Sequence, residues 1–181
     1  MGDKGSRFKA GWWVMPLEAA LIIALDQFTK HLVVSNLDLY ESWVPIPALG
    51  RWLEIYHITN TGVAFGLFQG GGTLFALVPL AVSVAILFYY RSLPGGQWLL
   101  RLTLGLQMGG AVGNLIDRIR VGHVIDFIHV PYWPVFNVAD SAVTVGTSLL
   151  VLLLLREEWR ERKTAQTAEG AESVGESAPS P

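Results

Sequence analysis

Two aspartates offer the most pointed chemistry in this chain. Asp126 sits in the apolar run Val124-Ile125-Asp126-Phe127-Ile128, with no lysine or arginine beside it, and Asp140 closes Phe136-Asn137-Val138-Ala139-Asp140. Two carboxylates held a few ångströms apart cannot both ionise easily, so one keeps a proton. The ionised partner can then activate a water while the protonated one polarises a carbonyl. Such chemistry needs neither metal nor thiol, and the chain contains no cysteine. Taken singly, each residue also has a plainer reading. Asp126 can be a turn or cap residue, and Asp140 can be a carboxylate at a helix start behind an Asn137 N-cap.

Other polar residues recur in short groups. Asp26 and Lys30 lie four apart, on one helix face, as an ion pair that either locks helices together or takes part in chemistry. A lysine can activate a serine, but no Gly-x-Ser-x-Gly elbow is present. Asn114, Asp117 and Arg118 share one side at the end of a helix, where they either hold an incoming peptide or bond the loops above. Asn60 precedes Thr61-Gly62, a turn signal. Gly105, Gly109 and Gly113 recur every fourth residue and give a smooth face for close helix approach. His123 and His129 raise a metal site, but they flank Asp126 without a His-Glu-x-x-His pattern, so no metal or other cofactor is expected.

The elements that position these residues are membrane spans. Of 181 residues, 51% are hydrophobic and 15% charged, against about a quarter charged in a soluble domain. Apolar stretches run at about 12–34, 73–90, 98–119 and 138–155, each near the roughly 20 residues that cross a bilayer. The first is longer than a signal-peptide core, lacks a small-x-small cleavage site, and reads as an uncleaved helix. Lys4, Arg7 and Lys9 precede it, Arg91 and Arg101 flank the 92–96 turn, and Arg156, Arg160, Arg162 and Lys163 follow the last span. This bias places both termini in the cytoplasm and the loops at 37–72 and 120–137 outside. The formal net charge of -2, with no basic stripe, gives no sign of nucleic-acid binding.

The expected fold is therefore an all-α membrane protein with four transmembrane helices and a small β-rich cradle after the first. The cradle, at about 37–72, rests on alternating Trp43–Ile46 and Trp52–Ile58, with Gly70-Gly71-Gly72 as a joint before the second helix. Residues 1–11 form a cytoplasmic N-terminus, 12–156 one membrane domain, and 157–181 a cytoplasmic tail. From about Thr164 the tail is too rich in Ala, Glu, Ser and Gly to bury a core and is expected to be disordered.

Five blocks occur in order: Asp26-Gln27-Phe28-Thr29-Lys30, Asn60-Thr61-Gly62-Val63-Ala64-Phe65, Gly109 to Arg118, Val124 to Ile128, and Phe136 to Asp140. Together they resemble bacterial lipoprotein signal peptidase (signal peptidase II), over roughly positions 15 to 155. The resemblance implies a monomeric aspartic endopeptidase of the bacterial inner membrane with its site at the outer face. Its partners would be membrane lipids and diacylglyceryl-modified prolipoproteins, cut just before the lipidated cysteine. It implies Asp126 and Asp140 as the catalytic pair. Asp26, Lys30, Asn60, Gly110, Asn114, Arg118 and Asn137 match positions that shape the site or hold substrate. Two rivals need fewer assumptions about catalysis. A small transporter or channel would use the acids as an ion path, although such sites favour the midplane and paired repeats, which the sequence lacks. A membrane scaffold leaves the five polar blocks unexplained.

Overall fold

The computed structural model describes residues 11–62 and 76–176. The chain divides into two compact units, Met1–Thr147 and Ser148–Pro181. The described residues form helices α1 (Val14–Asn36), α2 (Leu77–Ser92), α3 (Trp98–Val121) and α4 (Val138–Glu176), with strands β1 (Ser42–Trp43), β2 (Glu54–Asn60) and β3 (Val124–His129).

Local chemistry explains the helix ends. Pro16 stands in the first turn of α1, where its missing N–H is not needed. α3 stops where Gly122 takes a left-handed φ of +79° and its N–H bonds Arg118 O. The carbonyls freed at the end of α2 are taken up by Arg101, whose Nη2 donates to Leu93 O at 3.2 Å and Pro94 O at 3.0 Å. The same guanidinium lies 4.9 Å from the Tyr90 ring centre. Around it Met15, Ile86, Leu93 and Leu104 make a small apolar core joining α1, α2 and α3. α3 packs along α1 at the glycines: a Cβ on Gly109 would stand 2.6 Å from Ile22 Cβ, and one on Gly113 2.8 Å from Asp26 Oδ2.

The sheet has order β1-β2-β3, antiparallel throughout. It departs from the expected cradle in two ways. First, the described part of the 37–72 segment supplies two strands, as its two alternating stretches predict, but a third, β3, joins them from the connection between α3 and α4. Second, regular pairing around Trp43 stops at that residue; Pro45 and Pro47 cannot donate to a ladder, and the chain turns instead through a 3-10 turn at Pro47–Leu49. The Gly70–Gly72 joint, the first residues of the second apolar stretch and Val63–Phe65 lie outside the described residues.

The tail also differs from expectation, since α4 continues to Glu176. Its segment in the second unit is rich in Ala, Glu, Gln, Arg and Lys, which favour helix without any core. An i,i+4 pair between Glu158 and Arg162 at 2.5 Å supports it, and Lys163 lies 5.1 Å from the Trp159 ring centre.

By length and composition one helix among the described residues is apolar enough to cross a membrane, at Val138–Thr164, with mean hydropathy 2.0. α2 is apolar but shorter. α1 carries Glu18, Asp26 and Lys30, and α3 carries Arg101, Asp117, Arg118 and Arg120, which dilute their hydropathy. The distribution of these groups is nonetheless inverted relative to a water-soluble protein. On α1 Asp26 and Lys30 are buried while Leu17, Leu21, Leu25, Phe28 and Leu32 form an exposed stripe. Leu77, Val78, Leu80, Val84, Leu87 and Phe88 of α2 are likewise exposed.

Candidate active site

The site is assembled where α1, α3, the start of α4 and the sheet converge. Asp126 enters on β3 opposite Ile58 of β2. β3 then returns through a tight turn, with Tyr132 at a left-handed φ of +67° and Trp133 N–H bonded to Val130 O. Ile128 and Phe136 exchange backbone hydrogen bonds at 2.7 and 3.1 Å, closing a hairpin. That closure delivers Asn137, fully buried, next to Asp126.

Asn137 is the hinge of the arrangement. Its Oδ1 accepts the N–H of Asp140 at 2.8 Å, while Asp140 Oδ2 accepts the N–H of Asn137 at 3.2 Å. This is a reciprocal cap of the α4 N-terminus, with aspartate in the place where glutamate is usual. The same Asn137 donates from Nδ2 to Asp126 Oδ1 at 2.7 Å. The plainer readings of Asn137 and Asp140 as cap residues therefore hold, and the cap is also what joins the two carboxylates.

Three asparagines surround the pair, and a neighbour with only one possible role fixes each amide's orientation. Asn137 Oδ1 faces a backbone N–H, so its Nδ2 must face Asp126. Asn60 Oδ1 accepts the Gly62 N–H at 3.1 Å, so its Nδ2 donates to Asp126 Oδ2 at 2.9 Å. Asn114 Oδ1 accepts from Lys30 Nζ at 3.1 Å, which turns its Nδ2 toward Asp140 Oδ1 at 2.8 Å. Every carboxylate oxygen of the pair thus accepts an N–H, and among the described residues none meets a cation directly. Burial, followed by the like charge of Asp140, lifts the Asp126 pKa from its ordinary 3.8 to about 6 against the pull of its amide donors and of Lys30.

Behind the pair stands a second charged layer. Lys30 Nζ reaches Asp26 Oδ2 at 2.8 Å, Asp117 Oδ2 at 2.7 Å and Asn114 Oδ1, which uses all three of its donors. A lysine so occupied has no role as a base for a serine, and it reads as the lock between α1 and α3. Asp26 Oδ1 accepts the Ala139 N–H at 2.9 Å, one of the free donors at the start of α4. Gly110 permits this contact: a Cβ there would stand 2.3 Å from Ala139 O. Arg118 donates to Asn114 O at 3.3 Å, and its charge faces Asp140, Asp126 and Asp117.

Of the residues expected at the site, Asp26, Lys30, Asn60, Asn114, Asp126, Asn137 and Asp140 form one continuous network, with Gly110 as its packing floor and Arg118 at its edge. Gln27 escaped the sequence-based set, and Asp117, expected either to hold a peptide or to bond the loops above, does the second. Gln27 donates to Asp117 Oδ1 at 2.9 Å, and Asp117 Oδ2 also accepts the Ile125 N–H at 3.2 Å, tying β3 to α3. The signal for Gln27 was proximity to Asp26, but i,i+1 spacing alone does not say which neighbour it meets. His129 is turned toward Glu54, 2.5 Å away across the sheet.

The family model described as Signal peptidase (SPase) II matches residues 18–156. The chain is 42% identical over 148 residues to the lipoprotein signal peptidase of Moorella thermoacetica, covering 80% of this chain and 97% of that protein. It is 42% identical over 149 residues to the lipoprotein signal peptidase of Bacillus subtilis, covering 80% and 95% respectively. A solved structure described as a bacterial membrane enzyme superposes with a TM-score of 0.74 at 29% identity, over 80% of this chain and 88% of that one. The match spans all five sequence blocks and the whole of the hydrogen-bonded network, and the chain belongs to the signal peptidase II family of membrane proteases.

Proposed function

We propose that this protein is an intramembrane aspartic endopeptidase that removes the signal peptide from diacylglyceryl-modified prolipoproteins, cutting before the lipidated cysteine. The observation that carries this reading is the pair of carboxylates joined through Asn137, each oxygen held by an N–H and neither neutralised by a cation. The relatives' name, lipoprotein signal peptidase, supplies the substrate class.

In this mechanism the two carboxyls share one proton, which we assign to Asp126, where burial and the like charge of Asp140 favour it. A peptide that excludes water on binding lifts the Asp126 pKa further. Asp140 takes a proton from water, the water oxygen bonds to the scissile carbonyl carbon, and Asp126 gives its proton to the carbonyl oxygen. Collapse of the resulting diol breaks the C–N bond as a proton passes to the departing nitrogen. Asn60, Asn114 and Asn137 keep both carboxylates in place throughout, and Arg118 is assigned to the peptide backbone.

Four helices crossing the membrane, with both termini in the cytoplasm and the site at the outer face of the bacterial inner membrane, fit the lysine and arginine bias. The outward apolar stripes of α1 and α2 fit lipid as solvent, and the inward ion pairs fit the rule that charges in a bilayer face protein. The test is a gel-shift assay of a diacylglyceryl-modified precursor in detergent or vesicles. Cleavage that is insensitive to chelators is expected, and retention of the full-length precursor by the wild type would count against the activity.

A further inference from the structure

A cavity of about 680 Å³ opens where the end of α1 meets the sheet. Leu32, Val33, Leu37, Trp43, Ile55 and Phe127 line it. Asn36, Glu41 and Ser42 are its principal polar groups. Sites for small ligands run to about 300–1,000 Å³, with apolar walls and few polar groups, so the cavity has the size and lining of one. None of the asparagines that hold the carboxylate pair lines it.

The polar groups are biased toward acceptors. Asn36 Nδ2 is already committed to Leu32 O at 2.7 Å, and Glu41 Oε2 accepts the Asp38 N–H at 2.8 Å. With no hydrogen-bond partner among the described residues, Glu41 Oε1, Asn36 Oδ1 and the Ser42 hydroxyl remain to meet a ligand. Asp38 adds a second negative charge in the same turn, and the sequence holds no lysine or arginine between Lys30 and Arg51. The complement of such a site is an apolar chain attached to a positively charged, donor-bearing head.

We propose that this cavity binds an acyl chain of a phospholipid whose headgroup carries a primary ammonium, with Glu41 as the counter-charge. The assignment to the outer leaflet rests on the membrane placement given under the proposed function. The site is separate from the carboxylate pair and holds a resident lipid beside it.

Trp43 in the cavity wall provides the readout. Wild type and Trp43→Phe are placed in vesicles of equal phosphatidylethanolamine and phosphatidylglycerol, with bromine on the acyl chains of only one lipid at a time. The emission that depends on Trp43 should be quenched at least about twofold more by the brominated ethanolamine lipid, the scale of one partly exposed ion pair. Glu41→Gln should abolish that preference. Equal quenching of Trp43 by the two lipids, or a preference that survives Glu41→Gln, overturns the proposal. Relief of quenching by a lipidated precursor peptide gives the cavity to substrate and overturns it too. Precursor cleavage is followed in the same vesicles, so a failure of the peptidase reading shows as uncut precursor while the lipid preference is read independently.

Discussion

Exchanging Asp126 or Asp140 for asparagine keeps the side chain's shape and removes the oxygen that must carry or accept a proton. Asp126→Asn and Asp140→Asn should each reduce precursor cleavage by at least roughly 10³-fold, as for groups that act as a unit, while the protein stays folded and inserted. Near-normal turnover in either variant would exclude the paired mechanism. Ser141→Ala should leave cleavage within a few-fold of wild type, since its hydroxyl is donated to Asn137 O at 2.9 Å. The raised pKa gives a second expectation. Between 3.8 and about 6 the folded protein keeps a proton on Asp126 that the unfolded chain has lost. The stability due to this carboxyl is therefore full below 3.8 and is lost as pH rises through about 6. Carboxyl carbon NMR of labelled Asp126 should find its midpoint near 6, and Asp140→Asn should move it down by removing the like charge. At this scale the acids and amides that come together in one network were legible in the sequence as polar blocks. The sequence could not orient the amides, because each orientation depends on a partner from another element.

Among the elements, α3 carries most of the assembly, and its glycines and charges can be tested apart. Gly110→Leu should prevent correct docking of α4, because even a Cβ meets Ala139 O at 2.3 Å and backbone cannot yield as a side chain does. The expected result is lost cleavage together with a lowered unfolding temperature in detergent. Lys30→Met leaves Asp26 and Asp117 buried without their cation, and should destabilise the protein by about 3–5 kcal/mol, measured by denaturation in the same detergent. Lys30→Arg should not restore it fully, since a planar fork does not fit three converging acceptors. The helices were legible because apolar runs and terminators are local signals. β3 was less so: it pairs with a strand far back in the chain, Asn60 opposite Val124 and Ile58 opposite Asp126, and its six residues read equally well as a loop. The continuation of α4 beyond its apolar part was missed for a related reason. Low hydrophobicity forecasts the absence of a core, but it does not forbid a helix sustained by propensity and i,i+4 pairs.

For the molecule as a whole, the absence of native cysteine makes topology directly accessible. Single cysteines placed at Gly96 or Glu161 should be labelled by an impermeant thiol reagent only after the cells are opened, and those at Arg51 or Tyr132 in intact spheroplasts. The reverse pattern would invert the proposed orientation and put the site on the wrong side for exported substrates. One detail of the α4 N-terminus bears on how such an enzyme comes into being. Asn137 caps that helix and joins the carboxylates with the same side chain, so the start of the last helix and the active centre are completed in one event. On the proposed four-span topology, a chain still emerging from the ribosome with its first three helices inserted holds Asp126 but not Asp140. Under the proposed mechanism, competence would then arrive only with the final helix, because the Asn137 side chain that caps it also reaches Asp126.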